Sequence, residues 1–220
     1  MIKHHNIMRA IILAAGRATR FENEIKPLLK INNETIIERL VRQLKSAGVK
    51  PIYVVAGFKS EKFLNLADVV LINDPFHHTA DNARSLKVAL DRIGFEDTLM
   101  LDGDVILSDD LLPKLVESYR GESMSLVDLR TTDPEAMKLV IVDGYVVRFS
   151  KDEGVGSEIC EIVDKERLKK IYTDLDNIRW WGVGPNTTKF RTVEVNPNSK
   201  WMDVDTPEEY EQAKQTFKEN

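Results

Sequence analysis

The sequence predicts a single α/β domain, a Rossmann-like three-layer α/β/α arrangement in which a mostly parallel, mixed central sheet carries helices on both faces. Three observations predict it. Short apolar runs alternate with longer segments of helical periodicity through the first half of the chain. Several of those runs are continuously apolar, as strands covered on both faces are. The 220 residues, 42% hydrophobic and 30% charged, suit one core, and no Pro/Ser-rich linker, repeat or low-complexity stretch divides them.

Taken in order, Ala10-Ile11-Ile12-Leu13 is a buried strand that stops at Ala14-Ala15-Gly16. Over 35–47, Ile36, Ile37, Leu40, Val41 and Leu44 fall on one helical face, and Gly48 stands where a C-cap belongs. Residues 52–55 form a second strand, 60–66 a short helix and 69–72 a third strand. A helix over 82–93 stops at Gly94, and a strand over 98–101 runs into Asp102-Gly103-Asp104. The pattern then turns strand-rich, with strands over 123–129, 137–142 and 145–149 and a hairpin turn at Asp143-Gly144. A helix over 164–172, a strand over 191–195 and a closing helix over 207–217, introduced by Thr206-Pro207, complete the chain. One domain with two halves follows, an alternating α/β half over about 8–122 and a strand-rich half over about 123–220.

Composition excludes some classes. A net charge of −5 leaves no broad basic face for nucleic acid. The apolar run near the N-terminus is too short for a signal sequence or membrane insertion. The single cysteine, Cys160, has no internal disulfide partner, which fits a cytoplasmic location and a small core residue. The histidines stand as adjacent pairs, His4-His5 and His77-His78, without helical metal spacing, and read as loop surface. Nothing decides between a monomer and a homodimer.

The segment over 10–29 points to phosphate. The small residues after Leu13, namely Ala14, Ala15 and Gly16, let backbone N–H groups approach an anion, and Arg17, Arg20 and Lys26 supply charge. Neither GxGxxG nor GK[ST] is present, so a plain basic turn after a buried strand is the competing reading. Asp102 and Asp104 follow a strand's C-terminal end, where open α/β sheets bind ligands, and hard carboxylate oxygens suit Mg²⁺. Asp203 and Asp205 fall on one face of an extended segment; alternatively, Asp205 or Thr206 caps the last helix.

LAAGRATRF, followed by KPLLKI, ETIIERLVRQLKSAGV and IYVVAGF, resembles the N-terminal signature of the nucleotidyltransferases that join an NTP to a phosphorylated sugar or alcohol. That pattern is LAAG-x-G-x-R followed by P-K-x-L; here Ala18 replaces the second glycine, and Ile25 replaces the proline before Lys26, loosening the turn that presents it. The resemblance implies the nucleotide-diphospho-sugar transferase fold and catalysis by Arg20, Lys26, Asp104 and Lys151. It assigns the metal to Asp104, with Asp205 preferred over Asp203 as the second ligand and Asp102 as a neighbour. Lys151, at the offset of the family's E-K-P lysine, would anchor the acceptor phosphate, with Lys138 a weaker candidate. Asn73-Asp74 and Asn82-Ala83-Arg84-Ser85-Leu86 resemble a segment of phosphocholine and inositol-phosphate cytidylyltransferases, which directs Asn82 and Ser85 to the base or the acceptor; helix capping is their structural alternative. Trp180, Trp181, Tyr145 and Trp201 supply either a wall for a choline head or core packing. The implied activity is Mg²⁺-dependent transfer of CMP from CTP to phosphocholine or inositol phosphate. The alternatives are a UTP-, GTP- or dTTP-dependent sugar-1-phosphate enzyme and an inactive nucleotide-binding relative.

Overall fold

The computed structural model describes residues 8–16, 19–21, 24–79, 82–130, 137–183 and 189–218. Strand β1 (Arg9–Ala14) is followed by a small hairpin, β2 (Lys30–Ile31) and β3 (Glu34–Thr35), which leads into α1 (Ile36–Ser46). Next come β4 (Ile52–Ala56), β5 (Val70–Asn73), α2 (Asn82–Ile93), β6 (Thr98–Asp102), β7 (Val105–Leu107) and α3 (Leu111–Ser118). The later elements are β8 (Met124–Asp128), β9 (Lys138–Val142), β10 (Tyr145–Ser150), β11 (Ser157–Val163), α4 (Lys165–Tyr172), β12 (Phe190–Glu194), β13 (Trp201–Asp203) and α5 (Pro207–Thr216).

The helix ends follow the residues that cap them. Thr35 accepts from the Glu38 backbone N–H while the Glu38 carboxylate accepts from Thr35 N, a capping box that starts α1. Gly48, at φ +77°, ends it: its N–H reaches Lys45 O, and Val49 N–H reaches Leu44 O. Thr206 and Glu209 repeat the box at α5, with Pro207 in the first turn. The short helix expected over 60–66 is a 3₁₀ turn, Ser60–Phe63.

Nine strands form one sheet in the order β5-β4-β1-β6-β11-β8-β12-β10-β9. Strands β5, β4, β1 and β6 are parallel, as are β8 and β12; β11 and β10 run against their neighbours. On one face Leu40 and Leu44 of α1, Leu111 and Leu115 of α3 and Ala213 of α5 pack on Ile12, Val54, Leu101 and Leu126. On the other, Leu86 and Leu90 of α2 and Leu168 and Ile171 of α4 cover Ile11, Leu13, Met100 and Val163. Each such fully buried aliphatic side chain contributes about 2 kcal/mol relative to exposure. The buried Arg9 guanidinium fastens α2 to this sheet, donating to Thr98 Oγ1 (2.9 Å) and to the carbonyls of Ile93 (3.0 Å) and Gly94 (2.7 Å).

The structure adds elements that sequence patterning passed over: β2 and β3, β7, α3, β11 and β13. The most consequential is β11, which enters between β6 and β8. Its Glu161 is buried opposite Met100 on one side and Ser125 on the other. Strand β11 therefore belongs to the centre of the sheet although it lies late in the chain.

Candidate active site

The C-terminal ends of β1 and β6 open into a cavity of about 420 Å³. Leu13, Ala14, Ala15 and Gly16 form its wall after β1, Asn82 and Ser85 enter from α2, and Asp102 and Asp104 follow β6. Lys26, Asp203 and Asp205 complete the charged lining. Eleven positions expected at the site thus converge, with Pro27 and His77 beside them. Arg20 is exposed and not part of this lining, Lys151 is exposed on the turn after β10 and also outside it, and Arg17 lies outside the described residues.

The turn after β6 explains Gly103. Its N–H donates to Leu13 O at 2.9 Å, and a β-carbon there would stand 2.9 Å from Ala14 Cβ and 3.1 Å from Leu13 O. Close approach, rather than unusual backbone torsion, requires glycine here. Ile25 behaves differently from the expectation that it loosens the loop. It is buried, and its carbonyl accepts from Leu28 N at 2.8 Å, so apolar packing holds the turn that presents Lys26.

Lys26 is the centre of the charge arrangement. Its Nζ lies 2.5 Å from Asp104 Oδ2 and 2.7 Å from Asp205 Oδ1. Burial alone would lower the ammonium pKa; the field and hydrogen bonds of Asp104, joined by those of Asp205, outweigh it and hold the pKa above its ordinary value. Asp102 is pushed up to about 7 by burial and by the Asp104 charge, against the opposing pull of Lys26 and a hydrogen bond from Asn82. Asp203 is enclosed by protein yet open to the cavity; burial and the charges of Asp104 and Asp102 raise it well above the carboxylate range. Glu158 on β11, desolvated and facing Asp102, is pushed up to about 8. Asp102, Asp104, Asp203 and Asp205 thus line a cavity in which Lys26 is the one lysine or arginine among the described residues, with Glu158 outside that lining.

Asp203 and Asp205 arrive on a strap. Strand β13 pairs antiparallel with β7, Asp203 opposite Val105, and Val204 N donates to Asp104 O at 3.1 Å. The strand stops at Asp203, so Asp205 sits in the helix-cap segment instead, its N–H on the Glu209 carboxylate. Polar contacts fasten the strap: Asp128, buried at the end of β8, accepts from Trp201 Nε1 (2.8 Å) and from Arg130 Nε (2.9 Å). Arg130 also donates to Pro197 O and Ser199 O. Its hydrogen bonds, more than the cost of burial, hold the Asp128 carboxyl down at about 2.

The Asn73-Asp74 and Ser85 pattern has a structural cause. Buried Asp74 accepts from Phe76 N (2.8 Å) and from Ser85 Oγ (2.7 Å), latching the segment after β5 to α2. Asn82 uses its side chain on Trp181 N (3.2 Å) and on Asp102. His77, expected on the loop surface, is half-buried and lines the cavity: its Nδ1 is 3.0 Å from Asp74 O, and Gly57 leaves the space its β-carbon fills. His77 carried no spacing signal, because only the fold brings it beside residues of β1. None of the aromatic residues considered for a choline wall lines the cavity; Trp181 packs in the core against Phe190, and Trp201 holds Asp128.

The carboxylates of Asp104 and Asp205, on one side of an open cavity, are hard oxygen donors of the kind a divalent cation takes. Among the described residues no three His, Cys, Asp or Glu side chains gather into a metal site. Mg²⁺ ordinarily takes one or two protein carboxylates and completes its shell with substrate phosphates and water. The Lys26 ammonium, seated between Asp104 and Asp205, already marks a place where these oxygens accept a cation.

Comparison with known proteins gives the family and the fold. Residues 10–145 match the MobA-like NTP transferase domain. A 2-aminoethylphosphonate cytidylyltransferase of Lancefieldella rimae is 33% identical over 109 residues, which are 46% of this chain and 44% of that protein. A bifunctional IPC transferase and DIPP synthase of Aquifex aeolicus is 29% identical over 93% of this chain and 50% of its own length. The chain thus spans about half the length of these two relatives. A choline-phosphate cytidylyltransferase of Streptococcus pneumoniae is 25% identical, covering 96% of this chain and 99% of its own. Among solved structures, the CTP:phosphocholine cytidylyltransferase from Streptococcus pneumoniae superposes with a TM-score of 0.74 at 22% identity, covering 96% of this chain and 99% of that one. The inositol-1-phosphate CTP transferase from T. maritima gives 0.73 at 18% identity, covering 98% of each. At these identities the superpositions establish the fold.

Proposed function

The chain belongs to the MobA-like NTP transferase family, and from that premise we propose that it transfers CMP from CTP to a phosphorylated amino alcohol such as phosphocholine, releasing pyrophosphate. The observation that carries this reading is the Lys26 ammonium held between Asp104 and Asp205 beneath a small-residue loop after β1. A relative named for choline phosphate and one named for 2-aminoethylphosphonate support the base and acceptor class.

The reaction is in-line displacement. An acceptor phosphate oxygen forms a bond to the α-phosphorus, the bond to the bridging oxygen breaks, and pyrophosphate leaves with the electron pair. The phosphate nucleophile is ionised near neutral pH, so no general base is required. Catalysis then rests on positioning and charge neutralisation. Backbone N–H groups over 14–16 meet the triphosphate, Arg20 and Arg17 are assigned to its β- and γ-phosphates, and Lys26 neutralises charge at the α-phosphate. Asp104 and Asp205, with Asp203 beside them, would hold Mg²⁺, which when bound supplies Lewis-acid stabilisation of phosphate charge. Lys151 is assigned to the acceptor phosphate; Lys151→Ala should then raise KM for the acceptor and leave that for CTP unchanged.

A pyrophosphate-release matrix tests the whole reading, with four NTPs against phosphocholine, phosphoethanolamine, 2-aminoethylphosphonate, inositol 1-phosphate and hexose 1-phosphates. Activity confined to CTP with the amine-bearing acceptors is expected. Turnover only with a sugar 1-phosphate would replace the acceptor, an outcome favoured by the W-x-D pattern at Trp201–Asp203. No turnover, and no thermal stabilisation by any NTP with Mg²⁺, would sink the enzyme reading.

A further inference from the structure

The free protein seats its own cation where the nucleotidyltransfer reading seats a metal. Lys26 Nζ donates to Asp104 at 2.5 Å and to Asp205 at 2.7 Å, and the lysine and Asp104 side chains are only 19% and 25% exposed. The same ammonium is asked to serve the α-phosphate. One ammonium cannot hold both positions.

A divalent cation arriving alone meets two obstacles. It must displace an ammonium that makes two charge-assisted hydrogen bonds. It then finds few protein oxygens at once, because among the described residues no three acidic, histidine or cysteine side chains gather tightly enough to form a cage. A nucleotide removes both obstacles at once. Its phosphates add oxygen ligands for the cation and offer the released ammonium a new anionic partner.

We propose that Lys26 is a placeholder: in the free protein it closes the Asp104–Asp205 seat to divalent cations, so that metal and nucleotide enter together. The proposal rests on the nucleotidyltransfer reading, but its measurement is metal binding rather than turnover. The sequence of events is an exchange of cations on two carboxylates, driven by the arriving phosphates. It assigns Lys26 a task before catalysis that a residue serving only the α-phosphate would not have.

Mn²⁺ titration followed by electron paramagnetic resonance, on the full chain without nucleotide, tests it. Lys26→Met should bind Mn²⁺ at least about tenfold more tightly than wild type, since a competing charge is gone from the seat. Lys26→Arg, which keeps a cation, should bind as weakly as wild type. Adding Asp104→Asn to Lys26→Met should erase the gain. With α,β-methylene CTP present, wild type should gain Mn²⁺ affinity and Lys26→Met should gain less. Melting curves accompany each variant, and Lys26→Gln replaces the methionine variant if that one is unfolded. Equal Mn²⁺ affinity in wild type and Lys26→Met, or equal tightening by Lys26→Arg, would overturn the placeholder. Those results would leave pyrophosphate release intact, whereas failure of the nucleotidyltransfer reading would appear as no release in any cell of the matrix.

Discussion

Two segments bring carboxylates to the same cavity, and different forces hold them. Asp102 and Asp104 hang from β6, a strand buried beside β1 and anchored by the close contact of Gly103 with Leu13 and Ala14. Asp203 ends β13, outside the main sheet, and Asp205 follows in the cap of α5; Asp128, Arg130 and the β7 pairing fasten this segment. Packing positions the first pair; hydrogen bonds and ion pairs position the second. Changes of volume should therefore damage one, and changes of charge or pH the other.

The largest expected effect removes the carboxylate that the first segment brings to Lys26. Asp104→Asn should slow pyrophosphate release about 10³-fold while the melting temperature stays near wild type. Near-normal turnover would break the assignment of the first segment. Next, Gly103→Ala should cost about 3 kcal/mol in urea unfolding, because its β-carbon meets backbone and a neighbouring β-carbon rather than a flexible side chain. A neutral result would show that packing does not hold this turn.

Asp128→Asn probes the strap. With its carboxyl held at about 2, against 3.8 for an ordinary aspartate, Asp128 contributes about 2 kcal/mol at neutral pH. The folded-state value is the lower one, so the contribution is present above about pH 4 and fades as pH falls toward about 2. The stability gap between wild type and variant, read from urea midpoints, should be flat through neutral pH and close only in acid. A gap that varied around neutrality would point to other groups. The smallest effect belongs to Thr206→Ala, which opens the capping box of α5 behind Asp205 and should cost about 1 kcal/mol. It should leave the Gly103 turn untouched, and its effect should add to that of Gly103→Ala.

The same contrast explains what was legible in the residues. Strand β1, α1, α2 and β6 follow from local periodicity and caps, and the loop after β1 stands out through its run of small residues with basic residues beyond it. Strand β11 did not announce itself, because Glu158 and Glu161 interrupt its apolar pattern; the burial of Glu161 is a tertiary fact. Helix α3 was hidden by its length and by Pro113 in its first turns. Asp128 and Arg130 are ordinary residues far in sequence from Trp201, and nothing in that spacing predicts that they meet. His77 likewise becomes a cavity residue only once β4 and β5 bring it there. Ser85 was singled out for its pattern, and the pattern is explained by Asp74 rather than by a ligand alone.

The position of β11 carries a consequence for how the molecule is made. Strand β6 ends at Asp102, yet the strand that covers its free edge begins only at Ser157. During synthesis an apolar, unpaired edge must wait while β7 through β10 emerge, and β8 must leave its place beside β6 open for a later guest. Such long-range insertion slows folding and exposes an edge to foreign strands. A nascent chain halted before β11 is thus expected to be a sticky intermediate, with a half-built pocket and no strap.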